Sequence, residues 1–118
     1  MDIRIVHAPI ERGELEELAR SSHRALVKGV ADIERKVVAL GGEWHMDANT
    51  ALITDGSEQK NLWGFNVYPK ERGDKALEYI SLINIRPAQG NKTMELADLN
   101  LRRTIRDILK VLIPDLNL

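Results

Sequence analysis

The chain contains no cysteine among its 118 residues. This absence excludes disulfides, thiolate nucleophiles and cysteine-based zinc sites. Aromatic residues are scarce, at 4% of the chain, so aliphatic side chains must fill the core. No stretch approaches the ~18 consecutive apolar residues of a membrane-spanning helix. Residues 1–10 contain acidic Asp2 and no long apolar run, unlike a signal peptide. We therefore expect a cytoplasmic protein without a membrane segment.

An excess of one charge is also missing, because seventeen basic residues oppose eighteen acidic ones. The net charge of -1 gives no overall field to attract a phosphate backbone or an anionic membrane. We therefore do not expect nucleic acid as a partner. The length and the 43% apolar content are typical of one soluble domain, so a single globular domain is expected over residues 1–118.

Hydrophobic periodicity predicts strands over residues 3–7, 62–68 and 77–86, and helices over 11–26 and 99–113. The strand over 77–86 is apolar on both faces in its middle, so it is predicted to be central in the sheet. These elements predict an α+β fold with two layers. In it, a mostly antiparallel meander is flanked by an N-terminal and a C-terminal helix.

Residues 27–40 fit two different structures. They could continue the preceding helix, or they could form two strands with a turn near Arg35. The hairpin is preferred, because one helix over 11–40 would far exceed the usual ~11–12 residues. Such a helix would also carry Gly29 in its interior, where glycine is unfavourable.

The pair Gly41-Gly42 predicts a bend. Residues 43–46 are predicted to continue the strand after it, and 50–54 to form a short β-prone run. The two predicted helices cover only one face of the sheet. We therefore predict a homodimer, in which a second copy of the chain covers the other face.

Three blocks stand out along the chain: GGEWHMD at 41–47, LWGFNVYP at 62–69 and SLINIRPAQGN at 81–91. They resemble a family of small prokaryotic proteins of unknown function, and the resemblance covers nearly the whole chain. In that family an aliphatic residue is expected where Trp44 stands and a small one where Met46 stands. We therefore expect the bend to pack differently in this chain. The resemblance implies a compact stand-alone domain and no assigned activity.

Glu43, His45 and Asp47 are the first candidate site. On a strand their spacing of two would place all three on one face. An imidazole between carboxylates could act in acid–base catalysis or hold zinc, manganese or iron. No recognised metal motif has this spacing, and a solvated strand face is the alternative. We therefore predict neither a resident metal nor a cofactor, and whether the protein is an enzyme stays open.

Polar residues on two adjacent strands and the following loop are the second candidate site: Asn66, Tyr68, Asn84, Arg86, Gln89 and Asn91. The Arg86 guanidinium could grip a carboxylate or a phosphate with two parallel hydrogen bonds. Buried asparagine and arginine need partners. The cluster is therefore either an internal hydrogen-bond network or a site for a small anion or a partner's carboxylate.

The last helix carries a basic stripe, for which a solvated helix face is the simplest interpretation: Arg102, Arg103, Arg106 and Lys110. The leading functional prediction is a small cytosolic, homo-oligomeric accessory or binding module that uses the second candidate site. One alternative is a metal-assisted or acid–base enzyme that uses the first. Another is a partner-binding protein of the small toxin or antitoxin kind, for which the size and layout are suitable.

Overall fold

The computed structural model describes residues 3–21 and 25–118, which form one sheet and three α-helices. All strand pairs are antiparallel, in the order β1-β3-β2-β4-β5. The predicted α+β class and its N- and C-terminal helices are confirmed, although the strand order is not that of a sequential meander. The elements are β1 (Ile3–Val6), α1 (Arg12–Ser21), β2 (Val27–Asp32), β3 (Val37–Gly41), α2 (His45–Thr54), β4 (Leu62–Val67), β5 (Leu77–Glu78) and α3 (Leu99–Leu112).

The hairpin over residues 27–41 is confirmed, and Asp32 explains where the chain turns. Asp32 Oδ1 accepts hydrogen bonds from the backbone N–H groups of Glu34 and Arg35, each at 2.9 Å. A local aspartate contact of this kind stabilises a turn. Lys36 then adopts a φ of 58°, and its N–H donates a hydrogen bond to the Asp32 carbonyl oxygen at 2.9 Å. A continuous helix over 11–40 is therefore excluded.

The prediction for the segment after the hairpin is wrong. Residues 43–46 do not continue a strand and 50–54 do not form one, because helix α2 occupies His45–Thr54. Gly41 and Gly42 have φ angles of 104° and 87°, which are favourable for glycine alone. This sharp bend carries the chain out of the sheet, so the residues after it can lie across one sheet face.

Packing explains why α2 is helical despite its β-prone composition. Its residues Ala48 and Leu52, spaced four apart, are buried against β2 and β3. At its start, Asp47 Oδ2 accepts the backbone N–H of Trp44 at 3.0 Å, which satisfies a donor at the helix end. Burial of the inner face and this capping contact outweigh the local strand preference.

Helices lie on both faces of the sheet. Leu15 of α1 and Ile105 and Leu109 of α3 are buried in the cluster on one face, which includes Phe65 of β4. Helix α2 covers the opposite face. The homodimer was predicted from an uncovered sheet face, and α2 now occupies that face. In the described ranges, every helix is too short or too polar to cross a lipid bilayer.

The predicted bounds of the last helix agree with the structure, whereas those of the first helix and of the strand over 77–86 do not. Helix α3 is confirmed, with the Asp98 carboxylate accepting the N–H groups of Asn100 and Leu101 as its N-cap. The predicted helix over 11–26 is shorter, since α1 ends at Ser21, and residues 22–24 lie outside the described ranges. The long central strand over 77–86 is wrong, because β5 has two residues and lies at the sheet edge.

Candidate functional site

The outer edge of β4 is completed by side chains instead of by a full strand. β5 pairs only with the last two residues of β4. Further along the edge, Asn84 Oδ1 accepts the N–H of Gly64 at 2.8 Å, and Asn84 Nδ2 donates to the Gly64 carbonyl oxygen at 3.0 Å. Arg86 donates to the carbonyl oxygen of Leu62 in the same way. These contacts replace the ladder that a long strand over 77–86 would have made.

Glycine at position 64 allows the chain to leave the sheet here. A Cβ atom on Gly64 would lie 2.5 Å from the Cβ of Ser81, so only glycine accepts this close crossing. Ser81 Oγ then accepts the N–H of Ile83 and starts a short 3₁₀ turn over Leu82–Asn84. This turn brings the Asn84 side chain against the strand edge.

Arg86 is held by protein groups on several sides. Its guanidinium donates to the Gln59 carbonyl oxygen at 2.8 Å and to Gln89 Oε1 at 3.2 Å. It also stacks on Trp63, with 3.6 Å between its central carbon and the ring centre. Burial lowers the pKa of Arg86 from its usual value. The environment is that of a cation used to tie backbone segments together.

Asn91 completes this network from the following loop. Its Nδ2 lies within hydrogen-bonding distance of the carbonyl oxygens of Asn84, Thr93 and Glu95, at 2.8, 2.9 and 3.2 Å. Gln89 Nε2 donates to the Lys60 carbonyl oxygen at 3.0 Å. Polar groups in the predicted ligand-binding loop thus have backbone partners, as the internal-network interpretation requires. Their direct role in ligand binding stays a prediction.

Asn66 and Tyr68 meet at the other end of β4, together with Glu78 of β5. Glu78 Oε1 accepts hydrogen bonds from Asn66 Nδ2 at 2.9 Å and from the Tyr68 hydroxyl at 2.8 Å. Asn66 Nδ2 also lies 3.1 Å from the Ile80 carbonyl oxygen. This arrangement holds the Glu78 carboxylate in one position. Sequence reasoning missed Glu78, although its cross-strand pairing with Asn66 follows from a hairpin across 69–76.

Glu43, His45 and Asp47 do not form a shared site. They straddle the start of α2, so the strand spacing that would align them is absent. Glu43 and Asp47 are exposed, and Asp47 is used in capping. Within residues 3–21 and 25–118, no group of three or more acidic or histidine side chains could hold a metal ion. The structure thus leaves His45 without the two predicted carboxylate partners.

His45 packs inward and contacts β4. Its Nε2 lies 2.9 Å from the carbonyl oxygen of Phe65, which can only accept, so Nε2 carries the proton. Burial lowers the pKa of His45 most strongly, and the charge of Lys28 lowers it further. The Phe65 carbonyl oxygen, the Asn66 side chain and the Glu78 carboxylate oppose this shift. The imidazole is therefore biased toward its neutral form.

The lowered pKa of His45 predicts how stability depends on pH. The folded protein binds fewer protons than the unfolded chain, so this contribution is fully present above pH ~6.5 and is lost below it. In His45→Gln, the fall in unfolding free energy between about pH 7.5 and 5.5 should be smaller than in the wild type. Urea titrations at both pH values measure this difference. Thr50→Gln, a neutral substitution at an exposed position of the same helix, is the control and should keep the wild-type dependence. An unchanged dependence in His45→Gln would contradict the assignment.

A cavity of about 420 Å³ lies beside β5, between this edge of the sheet and α3. Residues that are distant in the chain line it: Asp74, Leu77, Glu78, Tyr79, Ile80, Glu95, Arg102 and Arg106. Its volume is within the ~300–1,000 Å³ of small-molecule sites. Sequence reasoning placed no site here, because the lining comes from three separate segments and no local motif marks it.

Two arginines of the predicted basic stripe line this cavity, while Arg103 and Lys110 are exposed. Arg102 has two close partners, since it donates to Glu95 Oε1 and to the Leu96 carbonyl oxygen, each at 2.6 Å. Arg106 has a weaker partner, because its nitrogen lies 3.5 Å from an oxygen of Asp74, whose side chain is completely exposed. The stripe is therefore not a uniform solvated face.

Tyr79 lies close to both of these arginines. The Arg102 guanidinium carbon is 5.1 Å from the centre of the Tyr79 ring. Burial raises the pKa of the Tyr79 hydroxyl, and the charge of Arg106 and its hydrogen bond to this hydroxyl oppose the rise. The hydroxyl therefore stays protonated at neutral pH and is available as a hydrogen-bond donor close to Arg106. Together they form the most suitable place in the cavity for an anionic group.

Comparison with known proteins assigns the chain to a family but gives it no activity. The model of a family described as a protein of unknown function, DUF5674, matches residues 4–112. No curated protein and no solved structure matches the chain. The prokaryotic origin and the three sequence blocks of the predicted resemblance stay predictions. Since the match spans nearly the whole sequence, the chain belongs to the DUF5674 family of proteins of unknown function.

Proposed function

We propose that the protein is a binding module for a small molecule with an anionic group, which it holds in the cavity beside β5. The observation that carries this proposal is the state of Arg106. Its side chain is 29% exposed and lines the cavity, yet its ion pair with fully exposed Asp74 spans 3.5 Å. A carboxylate or phosphate could bind this guanidinium and accept the Tyr79 hydroxyl proton as a second hydrogen bond.

The charges around the cavity limit the size of the anion. Three carboxylates line it alongside the two arginines, namely Asp74, Glu78 and Glu95. A nucleic-acid backbone would meet repulsion from these groups, and the chain has no net positive charge to compensate. A molecule with one anionic group suits the site better than a polyanion.

The second sequence-predicted site takes part in this proposal indirectly. Asn66 and Tyr68 hold Glu78 at the cavity, and Asn84 and Arg86 hold the segment that follows β5 against β4. These residues would shape the binding site without touching the ligand. The enzyme alternative has lost its grouping of Glu43, His45 and Asp47, and no contact within the described residues supports the toxin or antitoxin alternative.

A thermal-shift panel of small carboxylates, sugar phosphates and mononucleotides tests the binding function. A specific ligand at 100 times its Kd stabilises a protein by about 2.7 kcal/mol. We expect at least one compound to raise the thermal midpoint of the wild type and of Arg103→Gln, a control at an exposed arginine. The same compound should have no effect on Arg106→Gln. No response from any compound, or an equal response from Arg106→Gln, would contradict the proposal.

Self-association and a cytoplasmic location stay separate proposals. The side chains that would support self-association are the large apolar ones still exposed, such as Trp44, Met46 and Leu82. Sedimentation at micromolar concentration tests it. A clean monomer would remove the homodimer without affecting the binding proposal.

A further inference from the structure

The Glu78 carboxylate is a second unusual group in the cavity. Its Oε1 accepts two hydrogen bonds, from Asn66 and Tyr68, whereas its Oε2 accepts none from the described part of the chain. It also forms no ion pair with any described lysine, arginine or histidine, although the residue is partly buried. Both hydrogen-bond donors are neutral, so they fix the carboxylate without neutralising it. The free oxygen Oε2 can therefore still accept a hydrogen bond from a cationic group.

Among the described residues, the neighbouring cations do not pair with Glu78. Arg102 pairs with Glu95 at 2.6 Å, and Arg106 reaches toward Asp74. Lys28 donates to the Glu43 carbonyl oxygen at 2.8 Å and lies 5.2 Å from the centre of the Trp44 ring. The His45 imidazole is hydrogen-bonded to the Phe65 carbonyl oxygen. The Glu78 carboxylate therefore remains available for a cation that enters the cavity.

We propose that the ligand of this cavity is a small zwitterion, whose ammonium group binds Glu78 and whose carboxylate binds Arg106 and Tyr79. This inference rests on the proposed function, since it names the ligand class for the same cavity. The lining contains the groups that such a ligand needs: the Glu78 carboxylate, the Arg106 guanidinium and Tyr79 hydroxyl, and the apolar side chains of Leu77 and Ile80. A cavity of about 420 Å³ has room for a molecule of amino-acid size.

A series of amino acids with increasing separation between the two charges tests the inference. The probes are glycine, β-alanine, 4-aminobutyrate and 6-aminohexanoate, measured by isothermal titration calorimetry. Each has two matched controls of the same carbon skeleton, one carrying only the carboxylate and one only the amine. At least one zwitterion should bind about tenfold tighter than its carboxylate control, the difference expected for a charged hydrogen bond.

Glu78→Gln isolates the role of the carboxylate. The amide keeps an oxygen that can accept from Asn66 and Tyr68, so the fold should be retained. In this variant the advantage of the zwitterion over the carboxylate control should disappear, while the affinity for the carboxylate control stays within about twofold. Glu71→Gln, which removes an exposed charge outside the cavity, should leave both affinities unchanged.

The outcomes separate the two proposals. If zwitterions and carboxylate controls bind the wild type equally, the ligand does not use Glu78, and the inference is overturned while the anion site stands. If neither class binds, the inference and the proposed function both fail. The wild-type comparison needs no variant, so a folding defect in Glu78→Gln would not obscure the result.

Discussion

Asn84→Ala should lower the free energy of unfolding by about 3 kcal/mol or more. Asn84 is fully buried, and its amide satisfies both the N–H and the carbonyl oxygen of Gly64. Alanine would leave these two backbone groups buried without partners, at ~1–3 kcal/mol each. The Asn91 contact to the Asn84 carbonyl oxygen would also loosen as the turn shifts.

Chemical denaturation measures this loss, and Asn100→Ala is its control. Asn100 is an exposed asparagine on α3, so its replacement should change stability by less than about 0.5 kcal/mol. A loss below about 1 kcal/mol for Asn84→Ala would show that water or a relaxed backbone satisfies Gly64 instead. The proposed role of the Asn84 side chain in completing the sheet edge would then be wrong.

Gly64→Ala should be similarly damaging, because of a steric clash. The new Cβ would lie 2.5 Å from Ser81 Cβ and 2.7 Å from Ser81 Oγ. Ser81 cannot move away easily, since its N–H donates to the Met94 carbonyl oxygen at 3.1 Å and its side chain starts the turn. Overpacking a buried site of this kind costs about 1–3 kcal/mol, and we expect the upper end of that range.

Two further variants make the Gly64 prediction specific. Adding Ser81→Gly to Gly64→Ala removes the opposing Cβ and should recover part of the lost stability. Gly13→Ala is the matched control, since nothing lies within 4 Å of its new Cβ in α1. Because alanine favours helix, Gly13→Ala should stabilise the protein by about 0.5–1 kcal/mol. Equal stability of Gly64→Ala and the wild type would contradict the packing described.

The sequence predicted those elements whose determinants are local. The hairpin over 27–41 follows from a turn that Asp32 stabilises through its own neighbours. Helix α3 follows from an apolar stripe and an N-cap at Asp98. In each case the residues that decide the structure lie within the element, so periodicity and capping suffice to find it.

The missed elements depend on contacts between distant segments. Helix α2 has β-prone residues at 50–54 and is stabilised by burying Leu52 on a sheet that forms from other parts of the chain. The segment over 77–86 reads as a strand, yet Gly64 allows Ser81 to cross the edge of β4. No pattern within either segment indicates these long-range contacts, so local propensity favours the wrong structure.

The candidate site also depends on contacts between distant segments, which the sequence alone does not indicate. Polar residues on the strands over 62–68 and 77–86 do gather along one edge, but their side chains mostly satisfy the backbone of β4. The cavity needs Tyr79, Glu78 and Arg106, which come together only after α3 packs beside β5. Residue type indicated a polar cluster, whereas tertiary packing decided which of its members face a cavity.

The most direct test of the binding site is to follow backbone amide resonances during titration with the carboxylate and the zwitterion that most raise the thermal midpoint. We expect amides in segments 74–80 and 95–106 to shift, while those in 86–91 stay unchanged. Shifts confined to 86–91 would show that the loop, and not the cavity beside β5, binds the ligand. The absence of any shift at saturating concentrations of both compounds would contradict a binding site in the cavity.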